Sequence, residues 1–491
     1  MNLAGWVPMR WPCGPLEVER GQRGERFTAR EAEALRAWAA PEALELLAGS
    51  PVNALVVPWA EGSAGDEGHQ RALAPLIVAA RGRGLSVVGW VGEKGDLRKA
   101  AGSARAAGLD ALATQSTEPV DGFDVLRFRK RGFDDRTRSD FLGDADTVWP
   151  GMRPLKLEKG IDAVTGATGR PWIDSNAWYV RLARTLLEPK VVWLAFDPPD
   201  TGRLVPADAY RQAIADTEVG GARWMVSLDA PLRLGLSERE AAARETWAEI
   251  GRSLAFFRKH AAWEGHLPVG QIGVLSDYAG ANEFLSFELL NLLARRNGLF
   301  RVLDKNREGE TAFGGLDAVL YVDEAPPERG LVRRLYGFAE AGGTLITPPG
   351  WEALGVPDEG AQVPRFRVFR HGQGRLAVAR EAFTDPDLLA EEAQILTSYR
   401  RDRVRVFNLG IGRLHYATSA DGRSGVLHVL SFPTPYPRMP MTTWFRHPWA
   451  GARGWGWEAD GAVPATRTAV AGGVEFHLPP VPLYCAVEVS G

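Results

Sequence analysis

The sequence has almost no cysteine: Cys13 and Cys485 are the only two. A disulfide framework and a cysteine-rich zinc module are therefore excluded. Histidine is scarce as well, with eight residues in 491. Neither His-x-x-His nor His-Glu-x-x-His occurs, so no metal is expected in a catalytic site. No window approaches ~18 uninterrupted apolar residues, so no membrane span is expected. An excess of one charge is missing too. Lys and Arg total 58 against 61 Asp and Glu, a net of −3, and no basic run is present to track nucleic acid. The start, Met-Asn-Leu-Ala-Gly-Trp, has neither a basic n-region nor an apolar h-region. Localisation stays open, because removal of a leader would leave the same start. A G-x-G-x-x-G after the first strand, a G-x-x-x-x-G-K-[ST] and a G-x-S-x-G are all absent, which counts against a nucleotide-binding doubly wound sheet, the main rival fold, and against the α/β-hydrolase elbow. No cofactor is implied.

What is present is an ordinary globular balance, 45% apolar and 24% charged, with an unusual 17 Trp against 9 Tyr. Indole combines a broad apolar face with one N–H donor, which suits barrel cores and sugar-stacking surfaces alike.

Residues 1–264 alternate strand-like and helical runs. Candidate strands are Gly5–Trp11, Asn53–Trp59, Leu85–Val91, Leu109–Thr114, Asp124–Arg129, Thr147–Met152, Lys190–Phe196 and Arg223–Leu228. Helical spacing fills Ala29–Leu47, His69–Arg83, Leu97–Ala107, Ser175–Leu187, Pro206–Glu218 and Ser237–His260. Strand-then-helix repetition implies parallel strands with crossover helices, and eight strands in this length match a (β/α)8 TIM barrel. Thr28-x-x-Glu31 and Ser237-x-x-Glu240 read as capping boxes, and Pro189 stops the helix that begins after Ser175. Residues 265–400 read as a flavodoxin-like α/β unit, with a hairpin around Gly372-Gln373-Gly374. It lacks any Cys nucleophile, so scaffolding or contact between copies is its expected role. Residues 401–491 read as a small antiparallel β-sandwich, with a long loop over Pro433–Trp457 that carries Trp444, Trp449, Trp455 and Trp457.

Two stretches of the back half, Asp317-Ala-Val-Leu-Tyr-Val322 and Phe338-Ala-Glu-Ala-Gly-Gly-Thr344, resemble the glutamine-amidotransferase-like middle domain of glycoside hydrolase family 42 β-galactosidases. Val426–Leu430, Val474–Pro479 and Leu483–Val487 resemble their C-terminal β-domain. The resemblance implies a barrel hydrolase with an Asn-Glu pair after the fourth barrel strand and a Glu after the seventh. Here the fourth strand ends Ala113-Thr-Gln-Ser-Thr-Glu118 and the seventh ends Ala195-Phe-Asp-Pro-Pro-Asp200, so neither position matches. The only Asn-Glu pair, Asn282-Glu283, reads as a helix start.

Chemistry must then come from other carboxylates at strand ends. Hydrolysis of a glycosidic bond needs one carboxyl to donate a proton and one carboxylate to attack or to activate water. Asp197 and Asp229, each closing an apolar strand, are the first candidates, and Asp174 is the third. Apolar surroundings are expected to raise such a carboxyl's pKa. Trp11, Trp59, Trp90, Trp149, Trp172 and Trp178, with Arg10, Glu61 and Glu93, are candidates for holding a carbohydrate at the mouth. Arg127, Arg129 and Arg153 also lie on the strands, as candidate donors to sugar hydroxyls or an acidic sugar; for Arg127 and Arg129, which share one strand face, an ion pair is the expected role. The sequence-level reading is a metal-free glycoside hydrolase acting on an oligosaccharide; the alternative is a degenerate barrel that binds carbohydrate without cleaving it.

Overall fold

A computed structural model describes residues 2–23, 27–129, 133, 138–153, 155, 156, 162, 163, 172–307, 309, 313–360, 363–397, 401–432, 439–456, 462–480 and 482–491. Eight parallel strands form the first sheet: β1 (Pro8–Arg10), β2 (Ala54–Ala60), β3 (Ser86–Val91), β4 (Ala111–Thr114), β5 (Val125–Arg129), β6 (Phe141–Asp144), β7 (Val191–Leu194) and β8 (Arg223–Trp224). The ring closes where Val226, just past β8, bridges Met9 of β1 in parallel, with Arg10 N–H donating to Val226 O at 2.8 Å. Period-2 alternation sends Val56, Val88, Ala111, Ala113, Leu126, Phe128, Trp193, Ala195 and Met225 into one interior cluster. Neighbouring residues such as Leu55, Val57 and Val87 point outward to the helices. Trp193 is fully buried, edge-on to Phe141 at 5.3 Å, and plugs the barrel.

The surrounding helices are α1 (Gly14–Gln22), α2 (Ala29–Ala37), α3 (Asp66–Gly82), α4 (Leu97–Ala107), α5 (Ala177–Leu187), α6 (Ala207–Glu218), α7 (Ala230–Ser237) and α8 (Ala241–Lys259). The Thr28–Glu31 capping box forms in full at the start of α2. The Ser237–Glu240 box does not. Ser237 ends α7, its hydroxyl donating to Arg233 O, and Arg239 at φ 62° turns the chain into α8. The expected strand over Thr147–Met152 is also corrected. Pro150 has no N–H for a central ladder. The sixth strand is Phe141–Asp144, and Gly151–Arg153 pairs antiparallel with Trp172–Asp174 outside the ring.

The next sheet contains β9 (Ile272–Ser276), β10 (Phe300–Asp304), β11 (Ala318–Tyr321), β12 (Thr344–Thr347), β13 (Phe366–His371) and β14 (Gly374–Ala379). Its order is β10-β9-β11-β12-β14-β13, then Val356–Pro357; the first five are parallel, and β13–β14 is the expected hairpin. Helices α9 (Glu283–Arg295), α10 (Arg329–Glu340) and α11 (Pro386–Thr397) accompany it. Two antiparallel sheets, of six and four strands, complete the chain around a core that includes Leu427, Phe445, Trp449, Phe476 and Val487. The stretch expected as one long loop contains two of their strands, Met441–Phe445 and Gly451–Gly456. Met441, Thr443 and Phe445 alternate inward there, a pattern hidden by the surrounding Pro and Trp. Trp457 lies outside the described residues. Among the described residues no helix is long and apolar enough to cross a membrane. No group of three or more His, Cys, Asp or Glu among them could hold a metal ion.

Candidate active site

Parallel barrel strands gather their carboxyl ends at one mouth. Inward parity there places Arg10 of β1, Pro58 of β2, Trp90 of β3, Asp197 beyond β7 and Ser227 beyond β8 around a cavity of about 90 Å3. It opens into a groove of about 920 Å3 along α1, α2 and α7. Arg10 Nη1 donates to Asp197 Oδ1 at 2.7 Å, and Ser227 Oγ donates to the same oxygen at 2.9 Å. Oδ2 carries neither bond. Desolvation pushes the Asp197 carboxyl upward, but the Arg10 charge, the two hydrogen bonds and Arg233 outweigh it and hold the carboxyl below its ordinary value. The expected rise is therefore reversed, and Asp197 is an ionised carboxylate at neutral pH.

A second carboxylate, Glu17, lines both the cavity and the groove. It stands on α1, a helix absent from the sequence reading, although Pro15 at a helix's first positions is a recognised start signal. Glu17 accepts from Arg20 Nη1 at 2.6 Å, and Arg20 also pairs with Glu61. His69 fixes this helix to the barrel. Its Nδ1 accepts the Leu16 N–H at 3.3 Å, so Nε2 carries the proton toward Pro58 O at 2.9 Å. A Cβ on Gly14 would come within 2.9 Å of that ring, and the residue sits at φ 79°, so glycine is required twice over.

The other candidates fall elsewhere. Asp229 lines the groove but not the inner cavity, and its carboxylate caps α7, accepting the Leu232 N–H at 2.8 Å and the Tyr210 hydroxyl at 2.7 Å. Asp174, at the end of the outer hairpin, accepts the Trp172 indole N–H at 3.1 Å and lines neither cavity nor groove. Glu61 is held at the rim by Arg20, and Glu93 is exposed in the turn after β3. Of the six tryptophans, Trp90 alone lines the mouth, edge-on to Phe128 at 5.1 Å. Trp11 and Trp59 have the opposite parity to Arg10 and Pro58. They are buried against the helices, donating to Trp38 O and Ala100 O. Trp178 is buried beside Phe287, and Trp149 packs against Tyr210 and Trp224. Trp172 lies under the Arg295 guanidinium at 3.5 Å. Arg127 donates to the carbonyls of Ser116 and Glu118 in the loop after β4, and Arg153 pairs through its backbone with Trp172.

Sequence reasoning thus missed Glu17, Arg20, Ser227 and Arg233. Ser227 could have been found, since it shares a strand face with Met225. Among the groove's lining residues five arginines face five carboxylates, so its charges balance.

No protein-family model matches the chain, and no curated protein matches it in sequence. Solved structures do match. Alpha-L-fucosidase isoenzyme 2 from Paenibacillus thiaminolyticus aligns with a TM-score of 0.57 at 12% identity, over 91% of this chain and 95% of its own. The chain shares the fold of that fucosidase. A β-galactosidase from Rahnella sp. R3 aligns at 0.40 and 12% identity, over 86% of this chain and 66% of its own. A GH42 β-galactosidase from G. stearothermophilus aligns at 0.37 and 10%, over 88% and 68%. The fucosidase likeness extends past the barrel into the additional β-containing domains.

Proposed function

We propose that the chain is a glycoside hydrolase working at the carboxyl mouth of its barrel on an uncharged oligosaccharide or glycoside. Asp197 supplies the ionised carboxylate and Glu17 the proton for the leaving oxygen. The reading rests on one observation above others: Asp197, bonded through one oxygen to Arg10 and Ser227 with the other oxygen clear of both, lines the same cavity as a second carboxylate and an indole face. Trp90 offers the apolar platform on which a sugar face stacks. The anionic Asp197 opposes the positive charge that develops on the ring as the glycosidic bond breaks. Balanced charge in the groove favours a neutral ligand. In this reading residues 1–264 are the catalytic unit. Residues 265–400 are a flavodoxin-like scaffold, the surface through which copies would meet, and 401–491 form a β-sandwich.

Aryl glycosides test this directly. α-L-Fucosides belong first in the panel because of the shared fold, and β-D-galactosides second because of the sequence resemblance. Asp197→Asn should lower kcat/KM by about 100-fold or more. Glu17→Gln should slow substrates with poor leaving groups far more than activated aryl glycosides, since only the former need the proton. The anomeric configuration of the first product, read by NMR, tells whether Asp197 attacks carbon or activates water. Saturable sugar binding without turnover by the folded wild-type protein would instead support a carbohydrate-binding module.

A further inference from the structure

The opposite end of the barrel holds a second cavity of about 530 Å3, where helix α5 meets strands of the two following units. Val219, Gly220 and Gly221, which lead into the start of β8, line it, so it lies at the amino-terminal ends of the strands, away from Asp197. Its size is that of a small-molecule site. Its charge is unlike that of the mouth. Arg181, Arg184 and Arg301 line it against one carboxylate, Glu264. Glu264 is already matched twice, accepting from Arg223 Nη2 at 2.8 Å through both oxygens and from Arg258 Nη2 at 2.6 Å.

The donors around the cavity are pre-positioned. Arg181 stacks over the Phe300 ring at 4.6 Å and donates through Nη2 to His415 Nδ1 at 2.8 Å. That bond makes His415 Nδ1 an acceptor and leaves the proton on Nε2. Arg184 lies on the backbone at Gly221 and donates to its carbonyl, a close approach that a Cβ at 2.8 Å from Nη2 would obstruct. Among the described residues, Nε of Arg181, Nε of Arg184 and Nδ1 of His266 are buried and have no hydrogen-bond partner. Buried polar groups are ordinarily satisfied, and the neighbouring Arg181 and Arg184 guanidinium groups repel one another.

We propose that this cavity is a binding site for an oxyanion, the phosphoryl or carboxylate group of a small molecule, bridging the barrel and the two units behind it. The ligand's oxygens accept from the Arg181 and Arg184 guanidinium groups and offset their charge, as planar guanidinium groups do for such anions. The site is independent of the glycosidase reading.

Calorimetric titration of the full chain with inorganic phosphate, and separately with citrate, tests the proposal. Saturable uptake of one ion per chain is expected, with a rise in Tm that grows with ion concentration. Tighter phosphate assigns a phosphoryl ligand and tighter citrate a carboxylate ligand. The Arg181→Gln/Arg184→Gln variant, with its fold checked by a cooperative melt, should weaken the preferred ion by about 10-fold or more. Arg184→Gln alone serves if the double variant does not fold. Uptake of neither ion, or uptake that the substitutions leave unchanged, overturns the proposal.

Discussion

Asp197 owes its ionisation to Arg10, Ser227 and Arg233 acting against desolvation. A carboxyl held below its ordinary value contributes stability above that value and loses it as pH falls through the lowered one. The acidic limb of kcat/KM should therefore lie below the usual Asp range. Arg10→Met should move that limb to higher pH, as read from a pH–rate profile. Asp229 answers to a different test. Asp229→Ala removes a helix cap, costing about 0.5–2 kcal/mol, and strips the buried Tyr210 hydroxyl of its acceptor, about 1–3 kcal/mol more. Thermal melts should show the loss. His69 is neutral in the fold, its pKa lowered mainly by burial. Because the unfolded imidazole takes up a proton near pH 6.5, stability should fall as pH drops below about 6.5, by up to ~1.4 kcal/mol per pH unit for this group. His69→Gln should flatten that part of the stability–pH curve. At this scale the position of Asp197 at the mouth was legible, because it closes an apolar strand. The tryptophans were not, because one step along a strand exchanges barrel interior for helix-facing core, and Trp11 and Trp59 stand one step off the mouth.

Elements were legible where period and punctuation agreed. The strand–helix alternation gave seven of the eight barrel strands, and Thr28-x-x-Glu31 marked the start of α2 correctly. Phe141–Asp144 escaped because a four-residue strand that follows one aspartate and ends on another carries little periodic signal. Helix α1 escaped because it follows β1 within a few residues and starts on glycine and proline. That omission hid Glu17 and Arg20, half of the ionic frame at the mouth. The barrel interior depends on one residue of β7 more than on any capping motif. Trp193→Ala would open a cavity among Phe141, Trp6 and the β-strand side chains, and about 3–5 kcal/mol of stability should be lost in denaturant titrations.

At the scale of the whole molecule the barrel is not self-sufficient. One hydrophobic cluster runs from barrel residues such as Leu186 and Phe257 to Leu290, Phe300 and Tyr484 of the later units. Arg181 reaches His415, the Trp263 indole N–H donates to Glu488 at 3.3 Å, and Phe256 and Phe257 pack on Tyr484. Cutting after residue 264 would expose that apolar surface. Residues 1–264 alone should accordingly lack the near-UV dichroism of the full chain and bind a hydrophobic dye. The role of Asp197 is decided by the ratio of kcat/KM for wild type and Asp197→Asn on the best aryl glycoside. With matched melting temperatures, that ratio should be about 100 or more; a ratio near one rules the role out.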